Sequence, residues 1–398
     1  GGAAGGAAAE AAPRAADLHS VAMHVALFLA AALPAVVPVP TNLSIVVTAS
    51  LAVYVGSYRS CRAGEDASVD GGLDLSEMTT MERGDAMRFP LMGSAVLFGL
   101  FVAFKVLNKD LVNALLTIYF VVLGVLALAG TISPVVTPYV PVRLREKQIG
   151  IHKTVKIPLL MDEPAELTVA VPDAIAAVLA SPVVAYYVAT KHWLANNTLG
   201  LAFSVQGLEF LSIGSFKVGA ILLAGLFIYD IFWVFGTPVM VSVARNVEAP
   251  IKLLFPRVGE AAAASPFSML GLGDIVIPGI VVALLLRFDA ARGRSRPATH
   301  STFHAAFFGY VAGLVLTIVV MNVFDAAQPA LLYIVPGVMG ASTLNAWWRG
   351  EFKELLAYDE LPPEDEEEEE DVEGESNADD EDLDDEAFQD EDDGEALV

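Results

Sequence analysis

The sequence predicts an all-α polytopic membrane protein with roughly nine transmembrane helices, and three observations predict it. The chain of 398 residues is 55% hydrophobic and has a positive mean hydropathy. Its apolar residues gather into runs of span length, more than a soluble domain of this size carries. Charge is segregated as well. From Asp359 to Val398 there are 24 acidic residues and no Lys or Arg, so of the net charge of −25 only about −1 belongs to the rest.

Residues 1–20 are an Ala/Gly-rich lead, expected to be disordered. The apolar run behind it has no basic stretch in front, so it reads as a retained span and not as a cleaved signal peptide. Spans are predicted at about 21–56, 88–107, 111–130, 170–190, 194–213, 216–236, 266–287, 303–324 and 328–348. The first is too long for one helix, and Pro34, Pro38 and Pro40 break it. It is therefore one span with an apolar lead-in, or two spans. Residues 21–350 are expected to form one transmembrane domain. Residues 351–398 are expected to be a disordered acidic tail, too charged and too poor in apolar residues to fold alone.

The longest connection in the body is 131–169, where Glu166-Leu-Thr-Val-Ala-Val171 alternates. It is read either as a small extramembrane hairpin or as a solvated linker. Asn42-Leu-Ser and Asn196-Asn-Thr have the form of glycosylation sequons but lie at predicted membrane edges.

Lys and Arg are retained on the cytosolic side, which sets the orientation. With the amino terminus outside and loops alternating, one side holds sixteen of them, from Arg59 to Lys353, and the other seven. The amino terminus is then luminal and the acidic tail cytosolic. A tenth span would move only the amino terminus.

Several chemistries are excluded. Cys61 is the only cysteine, so no intrachain disulfide or cysteine-based metal cluster is expected. The six histidines include no HExxH, and no GxSxG occurs. What remains is a pair of aspartates. Asp230 lies in Gly219-Ala-Ile-Leu-Leu-Ala-Gly-Leu-Phe-Ile-Tyr-Asp-Ile-Phe-Trp-Val-Phe235, and Asp274 in Ser268-Met-Leu-Gly-Leu-Gly-Asp-Ile-Val-Ile-Pro278 with its apolar continuation. A carboxylate at such depth costs several kcal/mol unless compensated, so each marks a functional site. Two on consecutive spans could share one proton, as in an aspartic protease.

Gly271 and Gly273 strip side chains from the approach to Asp274, and Pro278 lacks the N–H that would bond the Asp274 carbonyl. The helix is thus weakened there, and exposed backbone could pair with an unwound substrate as an added strand. Tyr229 either hydrogen-bonds the pair or packs against lipid or a helix. Pro329 suits a first helical turn, Glu209 an interface or pore, and His192-Trp193 a membrane-interface anchor.

At these residues the chain resembles the presenilin-type intramembrane aspartic proteases. Their pattern is Tyr-Asp on one span, Gly-x-Gly-Asp on the next and Pro-Ala-Leu on the last. Here the matches are Tyr229-Asp230, Gly271-Leu272-Gly273-Asp274, and Pro329-Ala330-Leu331 preceded by Gln328. Within that group the chain is most similar to signal peptide peptidases, in particular the plant and algal form. The supporting stretches are Lys191-His-Trp-Leu-Ala-Asn-Asn197 and Glu248-Ala-Pro-Ile-Lys-Leu253.

The resemblance covers about residues 42–358. It implies nine spans, an endoplasmic reticulum membrane location and cleavage of leftover signal peptides and type II membrane segments. It also implies Asp230 and Asp274 as the catalytic pair, with Pro329, Ala330 and Leu331 shaping the site. No metal or organic cofactor is needed. The expected partners are transmembrane substrates, the lipid bilayer and, as an open option, further copies of the chain, with no nucleic acid. Two other readings stand beside the protease: a cation or proton transporter or leak channel using the buried carboxylates, and a non-proteolytic degradation adaptor on the same fold.

Overall fold

The computed structural model describes residues 15–66, 79–145, 147–155, 165–257, 266–293, 301–324, 326 and 328–360. It is helical almost throughout. In chain order the helices are α1 (Ala15–Ala32), α2 (Thr41–Asp66), α3 (Arg83–Val106), α4 (Lys109–Val136), the short α5 (Val142–Arg145), α6 (Val171–Thr190) and α7 (Trp193–Phe210). There follow α8 (Phe216–Phe235), α9 (Val239–Asn246), α10 (Gly273–Ala291), α11 (Thr302–Phe324), α12 (Leu331–Trp348) and α13 (Phe352–Ala357). Six short strands form three two-stranded pairs. β1 (Thr79–Met81) lies parallel to β4 (Leu211–Ile213); β2 (Gln148–Val155) with β3 (Ala165–Ala170), and β5 (Lys252–Pro256) with β6 (Phe267–Gly271), are antiparallel.

Among the described residues, six stretches are long and apolar enough to cross a membrane: Thr41–Cys61, Arg83–Val106, Lys109–Tyr139, Val171–Thr190, Phe216–Phe235 and Thr302–Phe324. Shorter apolar helices join them, so the polytopic all-α class stands. The region 21–56 divides into α1 and α2, with a 3-10 turn at Leu33–Ala35 between them. Pro34 sits in that turn, and Pro38 and Pro40 follow before α2 begins. The connection 131–169 does form a hairpin, β2 with β3. Residues 15–20, expected within the disordered lead, lie in α1, and 352–357, expected within the tail, form α13 with Leu355 buried. The remainder of both segments lies outside the described residues, apart from 351 and 358–360.

The apolar residues divide between protein and lipid. Only 6% of the apolar window of α3 is buried inside the protein, and Leu91, Val96 and Phe98 stand outward. α10 is the opposite. Every residue from Pro278 to Leu286 is buried, so this helix is enclosed on all sides and forms the axis of the domain. α2, α7, α8, α11 and α12 pack around it.

Close approach needs small residues where lipid offers no hydrophobic drive to hold helices together. Gly309 and Gly313 on α11 have the G-x-x-x-G spacing and meet Gly337 and the start of α12 backbone to backbone. A Cβ at Gly313 would lie 2.6 Å from the Ile334 Cα and 2.7 Å from the Tyr333 carbonyl oxygen. Backbone cannot yield as a side-chain tip can. Gly313→Val is therefore expected to destabilise the domain by about 1–3 kcal/mol, read as a lower unfolding midpoint in detergent. An unchanged midpoint would remove this contact from the account of the fold.

Candidate active site

The site is assembled from two directions. The first begins on α7. Asn196 and Asn197 are buried, and both side chains reach the outer edge of β5. The Asn197 Oδ1 accepts from the Leu254 N–H at 2.7 Å while its Nδ2 donates to the Leu254 carbonyl at 2.7 Å. The Asn196 Nδ2 donates to the Lys252 carbonyl at 2.7 Å. An asparagine side chain is a primary amide, so this pair acts as a short neighbouring strand. Gly200, one turn on, leaves room for Leu253, whose Cδ2 would lie 2.8 Å from a Cβ there.

On its other edge β5 pairs with β6, with Lys252 opposite Gly271 and Leu254 opposite Met269. The Leu272 N–H then donates to the Ile251 carbonyl at 3.1 Å. Two residues later comes Asp274, in the first turn of α10. Unpaired amides gather in a first turn, at the end of the helix dipole that attracts anions. The Gly271 amide hydrogen-bonds the Asp274 carboxylate, and a Cβ on Gly271 would lie 3.3 Å from Oδ2. That glycine is required by the carboxylate's own position. Gly273 differs: it is exposed, and a Cβ there would meet only Ile277 at 3.7 Å.

The second direction runs through α8 and α12. Asp230 is 3% exposed, and its Oδ2 accepts from the Leu331 N–H at 3.0 Å. Leu331 opens α12, where the first amides have no partner within the helix, so the aspartate takes up one of them. Pro329 and Ala330 are buried beneath it. The Ala330 carbonyl accepts from the Ile334 N–H at 3.1 Å and from the Thr317 hydroxyl of α11 at 3.5 Å. Gln328 accepts from the Tyr333 hydroxyl at 3.3 Å. α8 packs against α10, so Asp230 and Asp274 stand on adjoining helices.

Other expected residues lie elsewhere. The Tyr229 ring points to α3, 3.7 Å from where a side chain on Gly93 would begin, beside Trp233; among the described residues it has no hydrogen bond to either aspartate. Its packing role is the one realised. Glu209 faces no pore: it forms a largely buried ion pair with Arg59 at 2.6 Å and accepts from Gln206 at 2.8 Å. His192 caps α7, its Nδ1 accepting from the Leu194 N–H at 3.2 Å. Asp274 lies in the first turn of α10 and not midway along a span, because the first part of 266–287 is the strand β6. Sequence reasoning missed the Leu331 amide, which no side-chain pattern announces. It also missed the clasp of Asn196 and Asn197, whose signal was two adjacent amides at the start of an apolar helix.

Among known proteins, the family described as "Signal peptide peptidase" matches residues 74–362, which hold both aspartates and the Pro-Ala-Leu turn. A human signal peptide peptidase is 44% identical over 326 residues, 81% of this chain and 84% of that one. A mouse signal peptide peptidase is 44% identical over 324 residues, again 81% and 84%. Signal peptide peptidase-like 1 of rice is 31% identical over 360 residues, 79% of this chain and 92% of that one.

The clasp generates a prediction that needs no assay of activity. Asn197→Leu keeps the branched shape but leaves the Leu254 N–H and C=O unpaired, at a cost of about 1–3 kcal/mol for each group. Asn196→Leu orphans one carbonyl and is expected to cost about half as much. Thermal unfolding of the two variants in detergent checks the ratio. Equal or negligible shifts would show that the clasp does not hold the hairpin.

Proposed function

The chain belongs to the signal peptide peptidase family, and from that premise we propose that it is an aspartic endopeptidase using Asp230 and Asp274 as its catalytic pair. As a family member it is a multi-pass intramembrane protease, and its substrates lie in the bilayer. The proposed substrates are leftover signal peptides and type II membrane segments. One observation carries the aspartic reading: two carboxylates stand on adjoining apolar helices, and each is held by a single backbone amide, Leu331 for Asp230 and Gly271 for Asp274.

The chemistry needs one carboxylate ionised and the other protonated. The ionised one takes a proton from water as that water attacks the scissile carbonyl carbon. The protonated one hydrogen-bonds the carbonyl oxygen, where negative charge develops. The tetrahedral intermediate collapses when a proton is delivered to the leaving nitrogen and the C–N bond breaks. Like charges in a poorly hydrated site resist double ionisation, so the split between the two arises from their proximity, and the pair titrates as a unit. The backbone amides fix both carboxylates without competing for the proton.

A helical substrate must unwind before its amide can be reached. β6 leads into Asp274, and among the described residues its outer edge is unpaired, whereas that of β5 is taken by Asn196 and Asn197. An extended substrate segment added to β6 would lie beside Asp274. The transporter and adaptor readings have no observation in their favour. The Lys and Arg asymmetry supports an acidic tail in the cytosol, and family membership supports an endoplasmic reticulum membrane. Because 21–56 holds two helices, a luminal amino terminus requires that only one of them spans the membrane.

Purified protein is expected to cleave a tagged signal-peptide substrate in detergent, and Asp230→Asn and Asp274→Asn are each expected to abolish cleavage without loss of folded protein. Substantial cleavage by either variant, with contaminating proteases excluded, would sink the dyad. The backbone donor can be removed with proline, which suits a first helical turn but also strains the helical Ala330 before it and trims a buried side chain, so the unfolding midpoint is read beside the rate. Leu331→Pro deletes the N–H to Asp230, a bond to a charged group worth about 1.5–3 kcal/mol. It is expected to lower kcat roughly 10–100-fold, whereas Leu331→Ile keeps the amide and most of the activity. Equal rates for the two variants would assign the amide no part in the reaction.

A further inference from the structure

Tyr310 lies on α11, which packs against both α10 and α12, the helices that carry Asp274 and the Leu331 amide. Its side chain is 0% exposed, and its hydroxyl has no hydrogen-bond partner. An unmet phenol in a sealed interior costs of the order of 1–3 kcal/mol, which phenylalanine in the same space would avoid. The surroundings are rigid: Gly309 and Gly313, on either side of Tyr310 in sequence, hold α11 against α12 backbone to backbone.

Asp274 presents the complementary deficit. An ionised carboxylate has about four acceptor positions, and its hydrogen bond here comes from the Gly271 amide. The Tyr310 hydroxyl lies within electrostatic range of that carboxylate. The Tyr310 hydroxyl is therefore a spare donor on a helix packed against the one that carries Asp274. Asp230 is supported differently, by α12, so a second donor to Asp274 would let the two carboxylates be held from separate helices.

We propose that Tyr310 is a positioning residue for Asp274, its hydroxyl unpaired in the resting enzyme and donated to the Asp274 carboxylate once a substrate is seated. The proposal rests on the reading of Asp274 as one of the catalytic pair. It assigns Tyr310 no contact with the reacting bond. The joining motion belongs to the Asp274 side chain and not to the helices, and the cost of the unmet donor at rest favours it.

Tyr310→Phe removes a single oxygen, and the full-length protein is the material to use. The expected result is a kcat about tenfold lower with KM unchanged, while the unfolding midpoint stays constant or rises because a buried unpaired hydroxyl has gone. Affinity for a transition-state-analogue inhibitor of aspartic proteases should fall by a similar factor. Unchanged kcat overturns the proposal. So does a loss of activity accompanied by a lower midpoint, which would make Tyr310 a structural residue. Asp274→Asn measured alongside separates the two layers. If that variant still cleaves, the dyad itself fails; if it is inert while Tyr310→Phe is fully active, only the role of Tyr310 fails.

Discussion

The hydrogen bond from the Leu331 amide to the Asp230 carboxylate ties together parts of the chain that are 101 residues apart. A carboxylate in an apolar span is tolerated only where something nearby meets its polarity, and here that is the unpaired first turn of another helix. The bond can form only if α12 starts at the right height. That height is set by the Pro329-Ala330 turn, by the Thr317 hydroxyl on the Ala330 carbonyl, and by the glycine contacts between α11 and α12. A bulkier residue at Gly309 or Gly313 would therefore act on Asp230 without touching it.

Asp274 is held by a separate chain of constraints. Two buried asparagines grip β5, β5 fixes the register of β6, and β6 delivers Gly271 and Asp274 to the first turn of α10. A slip of one residue in β6 would turn its alternate side chains to the wrong face. The two scaffolds meet at the carboxylates and along α10, which contacts both α8 and α12. Their shared floor is α10, enclosed by protein along Pro278–Leu286, which keeps the meeting point fixed against helices that face lipid. The domain thus contains a rigid axis and a lipid-facing periphery, and the candidate site lies at the first.

Much of this was legible in the chain. The two aspartates stand out because charge in an apolar run is costly, and the Tyr-Asp, Gly-x-Gly-Asp and Pro-Ala-Leu patterns stand in the order of the spans. The alternation at Glu166–Val171 left a hairpin and a linker both open, and the β2–β3 pairing decides for the hairpin. The rest was hidden for physical reasons. Hydropathy cannot separate a strand from a helix within one apolar run, so β6 was absorbed into a span. A backbone amide carries no signature of its own, so the Leu331 donor was invisible. Glu209 read as a lone charge because its partner, Arg59, is 150 positions away. The prolines between α1 and α2 showed a break but not whether two helices would result.

Exposure around the site is uneven, and the proposed reaction makes use of that. Asp230 is sealed, whereas Asp274 is partly exposed, Gly273 is exposed, and Met269 on β6 is 49% exposed. These positions follow one another along a short path from β6 into α10. A substrate that must lose its helix to be cut needs a surface offering backbone hydrogen bonds in exchange, because in an apolar medium an unwound amide left bare costs several kcal/mol. β6 offers such an edge, and Gly273 adds no side chain of its own to the space beside it. Asp230 has no comparable opening. The scissile bond would therefore approach from the side of Asp274, and the sealed carboxylate would be met last, once the open one is already covered.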